Sequence, residues 1–296
     1  MTITLTLGIS AALVALAAAV RSTWSPCGQS MLSTITPMGE RGRGTTFRAT
    51  ASWFIAGSLV GGALLGGLMA VLAQGVHLAG LSGPVTASVA LAGVLVAIGS
   101  DLGLGGHRLP VHRRQVNERW LDHYRPWVYG AGFGVQIGCG LATYITTAAV
   151  YLTVWLAALC GRPWWALGLG IGFGGVRGAA VLLGRSLTTT EAMVSFHRRF
   201  FASSPVASWI VIAVEALVAT AILVVTADPA AFGVLVALVV VGLGLVLGSS
   251  TRWIGVPRPD AMAGRPGRVE RTTSDPSGDP VRGGQLTADQ VSARGG

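Results

Sequence analysis

Apolar residues run along this chain in long unbroken stretches, neither alternating nor recurring on a single helix face. Seven stretches stand out, over about residues 10–38, 49–74, 84–105, 127–155, 163–184, 205–226 and 231–250. A membrane-spanning helix needs about 20 such residues, and a porin-type barrel would alternate apolar and polar positions instead. The pattern predicts an all-α polytopic membrane protein with a transmembrane helical domain over residues 1–250. From 251 to 296 the composition turns to Pro, Gly, Ser, Asp and Arg, which cannot bury a core, so a disordered cytoplasmic tail is expected. The first stretch is awkward because Arg21 and Pro26 interrupt it, and residues 3–38 exceed one straight crossing. We expect the extreme N-terminus to lie along the outer interface. The alternative, a bend back at Arg21, gives eight spans and an inside N-terminus.

Composition sharpens this picture. Hydrophobic residues make up 51% and charged residues 11% of the chain, against about 25% charged in soluble domains. A soluble enzyme is excluded. The basic residues are 21 arginines with no lysine, and 18 of the 21 fall on one side of a seven-span chain. The opposite loops carry only Arg162. By the positive-inside bias the N-terminus is expected outside and the C-terminus in the cytoplasm, in the cytoplasmic (inner or cell) membrane. Arginines spread between apolar segments make no nucleic-acid face. The N-terminal MTITLTLGIS lacks a basic n-region, so the first stretch is read as retained rather than as a cleaved leader. Many of the 43 glycines sit inside apolar runs, and Gly170, Gly174 and Gly178 recur every fourth residue. That spacing predicts a close-packing helix face rather than a phosphate loop.

Shifting the chain by 112 residues brings Cys27-Gly28 onto Cys139-Gly140 and Thr34 onto Thr146; Gly61-Gly62 falls on Gly174-Gly175 at a shift of 113. Three spans per unit would make the copies inverted, with repeat units at about 10–105 and 127–226 plus one extra C-terminal transmembrane helix at 231–250. Each cysteine lies about 12 residues, or roughly 18 Å, from the arginine-rich end of its span, near the middle of a ~30 Å hydrocarbon core. Pro26 cannot donate a backbone bond and Gly28 weakens a helix, so Ser25-Pro26-Cys27-Gly28 should break it. Gly138 and Gly140 should loosen the backbone around Cys139. Gln29, Gln136, Thr143 and Thr146 are expected to line a polar cavity around the pair, with Arg21 as a helper to the thiols. The plainer reading makes both cysteines small packing residues.

Leu13 to Pro37, with WSPCGQSMLSTITP at its centre, resembles the first helix of the CcdA/DsbD transmembrane thiol–disulfide carriers. GFGVQIGCGLATYITTAAVY stands where that family has its fourth helix. The resemblance covers about residues 10–226 in layout but only the two cysteine segments in residues. It implies a LysE-like inverted-repeat fold and a function in thiol–disulfide exchange and cytochrome c biogenesis, with Cys27 and Cys139 as the catalytic redox pair. It further implies a thioredoxin-like donor in the cytoplasm, an extracytoplasmic thiol protein as acceptor, and no cofactor. This chain keeps Pro26 but has Ser30 where the family places a following proline, and no proline near Cys139.

The rival reading is a small-solute or ion exporter of the same layout, with the intramembrane charges Arg177 and Glu215 on its path; a scaffold subunit without chemistry is a third. Counted from the arginine-rich ends, Arg177 and Glu215 differ in depth by only about 5 Å at helical rise, so a structural ion pair is expected ahead of a proton relay. Asp101, near a span end, is expected to snorkel to the interface. Cys160 beside aromatics reads as buried packing, and His77, His107, His112 and His123 lack metal-ligand spacing. No metal is expected, and membrane lipid is the remaining partner.

Overall fold

Pro26 divides the first apolar stretch in two. The computed structural model describes residues 2–104 and 124–226, and all of them belong to a unit spanning Met1–Leu247. Helix α1 (Thr2–Arg21) ends where the Ser22 hydroxyl donates to the Ala18 carbonyl, and a short 3-10 turn, Ser22–Trp24, follows. Ser25 then takes extended backbone (φ −71°, ψ 157°), its hydroxyl accepts from the Gly28 N–H at 3.2 Å, and Pro26 opens α2 (Pro26–Thr34). Proline fits there because the first helical position has no bond to lose. The crossing segment is therefore Ile3–Trp24. The apolar helix thus runs over Ile3–Trp24, where a span at 10–38 was expected, and it takes in the N-terminal residues.

Helix α3 (Pro37–Gly42), capped by Thr36, turns the chain into α4 (Phe47–Ala79), and α5 (Gly83–Leu102) follows a left-handed Gly80. The expected fourth span is two helices, α6 (Pro126–Cys139) and α7 (Ala149–Leu159). Gly140, at φ +70°, ends α6 in a conformation that L side chains rarely adopt. Helix α8 (Pro163–Ala179) tightens into a 3-10 stretch, Ala180–Ser186. An amphipathic α9 (Thr190–Ala202) leads into α10 (Ser204–Thr226). No strand occurs among the described residues, and five apolar helices are long enough to cross a membrane. The expected helix at 231–250 and the tail at 251–296 lie outside the described residues.

Helix α4 is the hub, packed along both α6 and α8. Its small residues meet small residues: a side chain at Gly62 would strike Gly170 and Gly174, one at Gly61 the backbone of Val135 and Cys139, and one at Gly138 the backbone of Ser58. The Ser58 hydroxyl donates to the Gly174 carbonyl at 2.7 Å, so the expected close-packing face on α8 is seated on α4. Helix α1 packs against α7, α8 and α10, and α10 also lies along α5. Helix α9 holds the first break in place. Phe200 stacks on Trp24 with ring centroids 4.6 Å apart, and the Trp24 Nε1–H donates to the Phe200 carbonyl at 2.8 Å.

Candidate functional site at the two helix breaks

The second break opens toward Arg177, and the first brings Cys27 within electrostatic range of it. This arginine sits in the last turn of α8 and is only 3% exposed. Its Nη1 donates to the Thr143 hydroxyl at 3.5 Å, its guanidinium stands 5.7 Å over the Phe173 ring, and both Cys27 and Cys139 lie within its electrostatic range. The Thr143 hydroxyl in turn donates to the Gly140 carbonyl at 3.4 Å. Gly140 is required here twice over. Its φ is left-handed, and an added Cβ would stand 2.7 Å from the Phe173 ring and 3.5 Å from Arg177 Nη1. Cys27 starts a half-helix and is buried, whereas Cys139 ends one and is partly exposed. None of the three cysteines is in a disulfide. The junction thus presents a guanidinium fork, two thiols and a hydroxyl inside an apolar bundle, a donor-rich set suited to a carbonyl or an anionic group.

A second polar cluster forms behind it. Asp101, one residue from the end of α5, accepts from the Thr147 hydroxyl and from the Ala148 N–H at 2.6 Å, and so caps α7 at its buried start. It does not snorkel, because the break before α7 supplies donors that an interface would otherwise provide. Asp101 is also within electrostatic reach of Arg21 and Glu215. Arg21 Nε donates to the Ser208 hydroxyl at 3.0 Å, so Arg21 faces α10 and Asp101 instead of helping the thiols. Glu215 is fully buried, and neither of its carboxylate oxygens has a hydrogen-bond partner among the described residues. Arg21 Nη1 and Thr146 Oγ1 are buried without a partner as well.

The expected Arg177–Glu215 ion pair does not form, since Glu40–Arg43 is the ion pair found among the described residues. Similar depth was a poor guide. Helix α8 turns Arg177 toward the breaks, whereas α10 packs its buried face on α1 and α5. Of the remaining expected site residues, Pro26 and Gly28 shape the first break, and a Cβ at Gly28 would collide with the Thr23 carbonyl. Gln29 Nε2 donates to the Trp24 carbonyl at 3.1 Å and Gln136 Nε2 to the Gly132 carbonyl at 3.4 Å, so both bond near their own backbone. Gly138 packs on Ser58, and Cys160 is buried with its sulfur 3.8 Å from the Thr4 carbonyl. No group of three or more His, Cys, Asp or Glu that could hold a metal ion occurs among the described residues, while His107, His112 and His123 lie outside them.

Glu40 escaped sequence reasoning. Although it stands in the short polar connection before α4, it is fully buried. Its carboxylate accepts from Arg43 at 2.9 Å, Thr45 and Thr50 at 2.5 Å each, and the Tyr129 hydroxyl at 2.7 Å. An acidic residue in a polar turn carries no sequence sign of such burial.

Comparison with known proteins gives one consistent result. No protein-family model matches the chain, and no solved structure matches it. It is 35% identical over 162 residues to the methylamine utilization protein MauF of Paracoccus versutus, covering 51% of this chain and 55% of that one. MauF of Paracoccus denitrificans is 31% identical over 161 residues, covering 50% and 53%. MauF of Methylobacillus flagellatus is 31% identical over 159 residues, with the same coverage of 50% and 53%. The chain thus spans about half the length of the curated relatives it matches. These relatives overturn the resemblance to the CcdA/DsbD carriers, and with it thiol–disulfide exchange and cytochrome c biogenesis as the function. The exporter alternative falls on the same finding.

Proposed function

We propose that this chain is a polytopic membrane protein serving methylamine utilization. The observation that carries the reading is its likeness over half its length to proteins of that name. The five apolar helices are compatible with such a membrane component. The test is a deletion strain given methylamine as the sole nitrogen source. Growth should fail on methylamine, persist on ammonium, and return with the full chain supplied in trans. Undiminished growth of the deletion strain on methylamine would overturn the reading.

Within that role we assign the working centre to the junction of Arg177 with Cys27, Cys139, Gly140 and Thr143. A buried cation in a membrane interior is costly unless it serves a purpose. Arg177→Met is expected to abolish methylamine-dependent growth while the protein still reaches the membrane in normal amount. Normal growth of that variant would move the centre to the cluster of Arg21, Asp101 and Glu215.

The reading includes an N-terminus outside the cytoplasmic membrane and two inverted three-helix repeats. The arginine bias supports the first. The internal echo that sets Cys27-Gly28 on Cys139-Gly140 supports the second. Reporter fusions at Gly80 and Gly161 should be active only outside the cytoplasm.

A further inference from the structure

At the arginine-poor end of the bundle the fold gathers several long polar and aromatic side chains. Gln74 and His77, in the last turns of α4, meet Arg162, Trp164 and Trp165, at the start of α8, around a cavity of about 290 Å³. Arg162 is the one arginine of the loops at this end. Among the described residues, no acidic side chain lines the cavity. Its walls therefore offer a guanidinium, an imidazole, a carboxamide and two indoles, a set that donates hydrogen bonds and favours an anion. Arg162 also precedes the first turn of α8 without a side-chain capping bond, leaving amides there that add to the positive potential.

We propose that this cavity binds the phosphodiester of an anionic phospholipid headgroup. Placement selects the lipid over a soluble anion. Trp164 is 84% and Trp165 49% exposed, at the end of an apolar spanning helix where tryptophans lie at headgroup level. The volume of about 290 Å³ suits a phosphodiester headgroup, with the acyl chains left along the apolar helix surface. The assignment is independent of any role in methylamine utilization.

The test uses the full chain in phosphatidylcholine nanodiscs titrated with phosphatidylglycerol, with retained lipid read by native mass spectrometry. Wild type should retain phosphatidylglycerol selectively, and Arg162→Gln should weaken retention about tenfold or more, as expected for a lost charged hydrogen bond. Arg162 is exposed, so this variant should keep the wild-type circular dichroism. Arg41→Gln, at an exposed arginine in the last turn of α3, is the control and should bind as wild type. Equal retention by Arg162→Gln and wild type would overturn the site. Displacement of the lipid by free glycerol phosphate at matched concentration would overturn the headgroup assignment in favour of a soluble phosphate.

Discussion

Two buried carboxylates show how much a residue's partners decide. Glu40 is surrounded by Arg43, Thr45, Thr50 and Tyr129, whereas Glu215 has no hydrogen-bond partner among the described residues. Breaking a buried charge network is expected to cost about 3–5 kcal/mol. Glu40→Ala should therefore lower the thermal unfolding midpoint in detergent sharply. Tyr129→Phe removes one bond to a charged group and should cost about 1.5–3 kcal/mol. Glu215→Gln should leave the midpoint unchanged or raise it, because the amide is cheaper to bury than an unpaired carboxylate. A large loss on Glu215→Gln would show that the carboxylate has a stabilising partner. Glu215 and Arg177 were legible in the sequence because a charge inside an apolar run stands out. Their partners were not, since facing direction depends on how helices pack. Glu40 was invisible for the opposite reason, being an acid in a turn that only the fold buries.

At the scale of elements, glycine spacing and proline carry most of what could be read. The face Gly170, Gly174, Gly178 packs as its spacing suggests, and the chain breaks beside Pro26. The interruption between α6 and α7 was harder to see. Leu141 to Thr147 reads as apolar and β-branched, so the sequence runs on as one span while the backbone leaves the helix after Gly140. Glycines on one helix also differ in consequence. A Cβ at Gly62 would strike the backbone of α8, whereas one at Gly67 meets nothing within 4 Å. Gly62→Ala should yield little monodisperse protein on size-exclusion chromatography. Gly67→Ala should elute as wild type and gain up to about 1 kcal/mol from helix propensity. Equal behaviour of the two variants would contradict the α4–α8 contact.

For the whole molecule, the membrane class was legible from hydropathy alone, but the likeness to MauF was not. The cysteine-and-proline segments are short, and 35% identity to MauF over half the chain outweighs them. Helix breaks and buried polar groups arise in many membrane proteins for the same physical reasons, so they narrow the architecture and leave the role open. The cap that Asp101 places on α7 has a further consequence, in the order of synthesis. Helices α6 and α7 have 14 and 11 residues, each short of the roughly 20 needed to cross a membrane alone. The ribosome makes Asp101 before Ala148, so the carboxylate is already waiting when α7 emerges. The first half of the chain thus acts as a template on which the second is completed. In Asp101→Ala, a protease added to newly made membranes should cut between 140 and 148 faster than in the wild type.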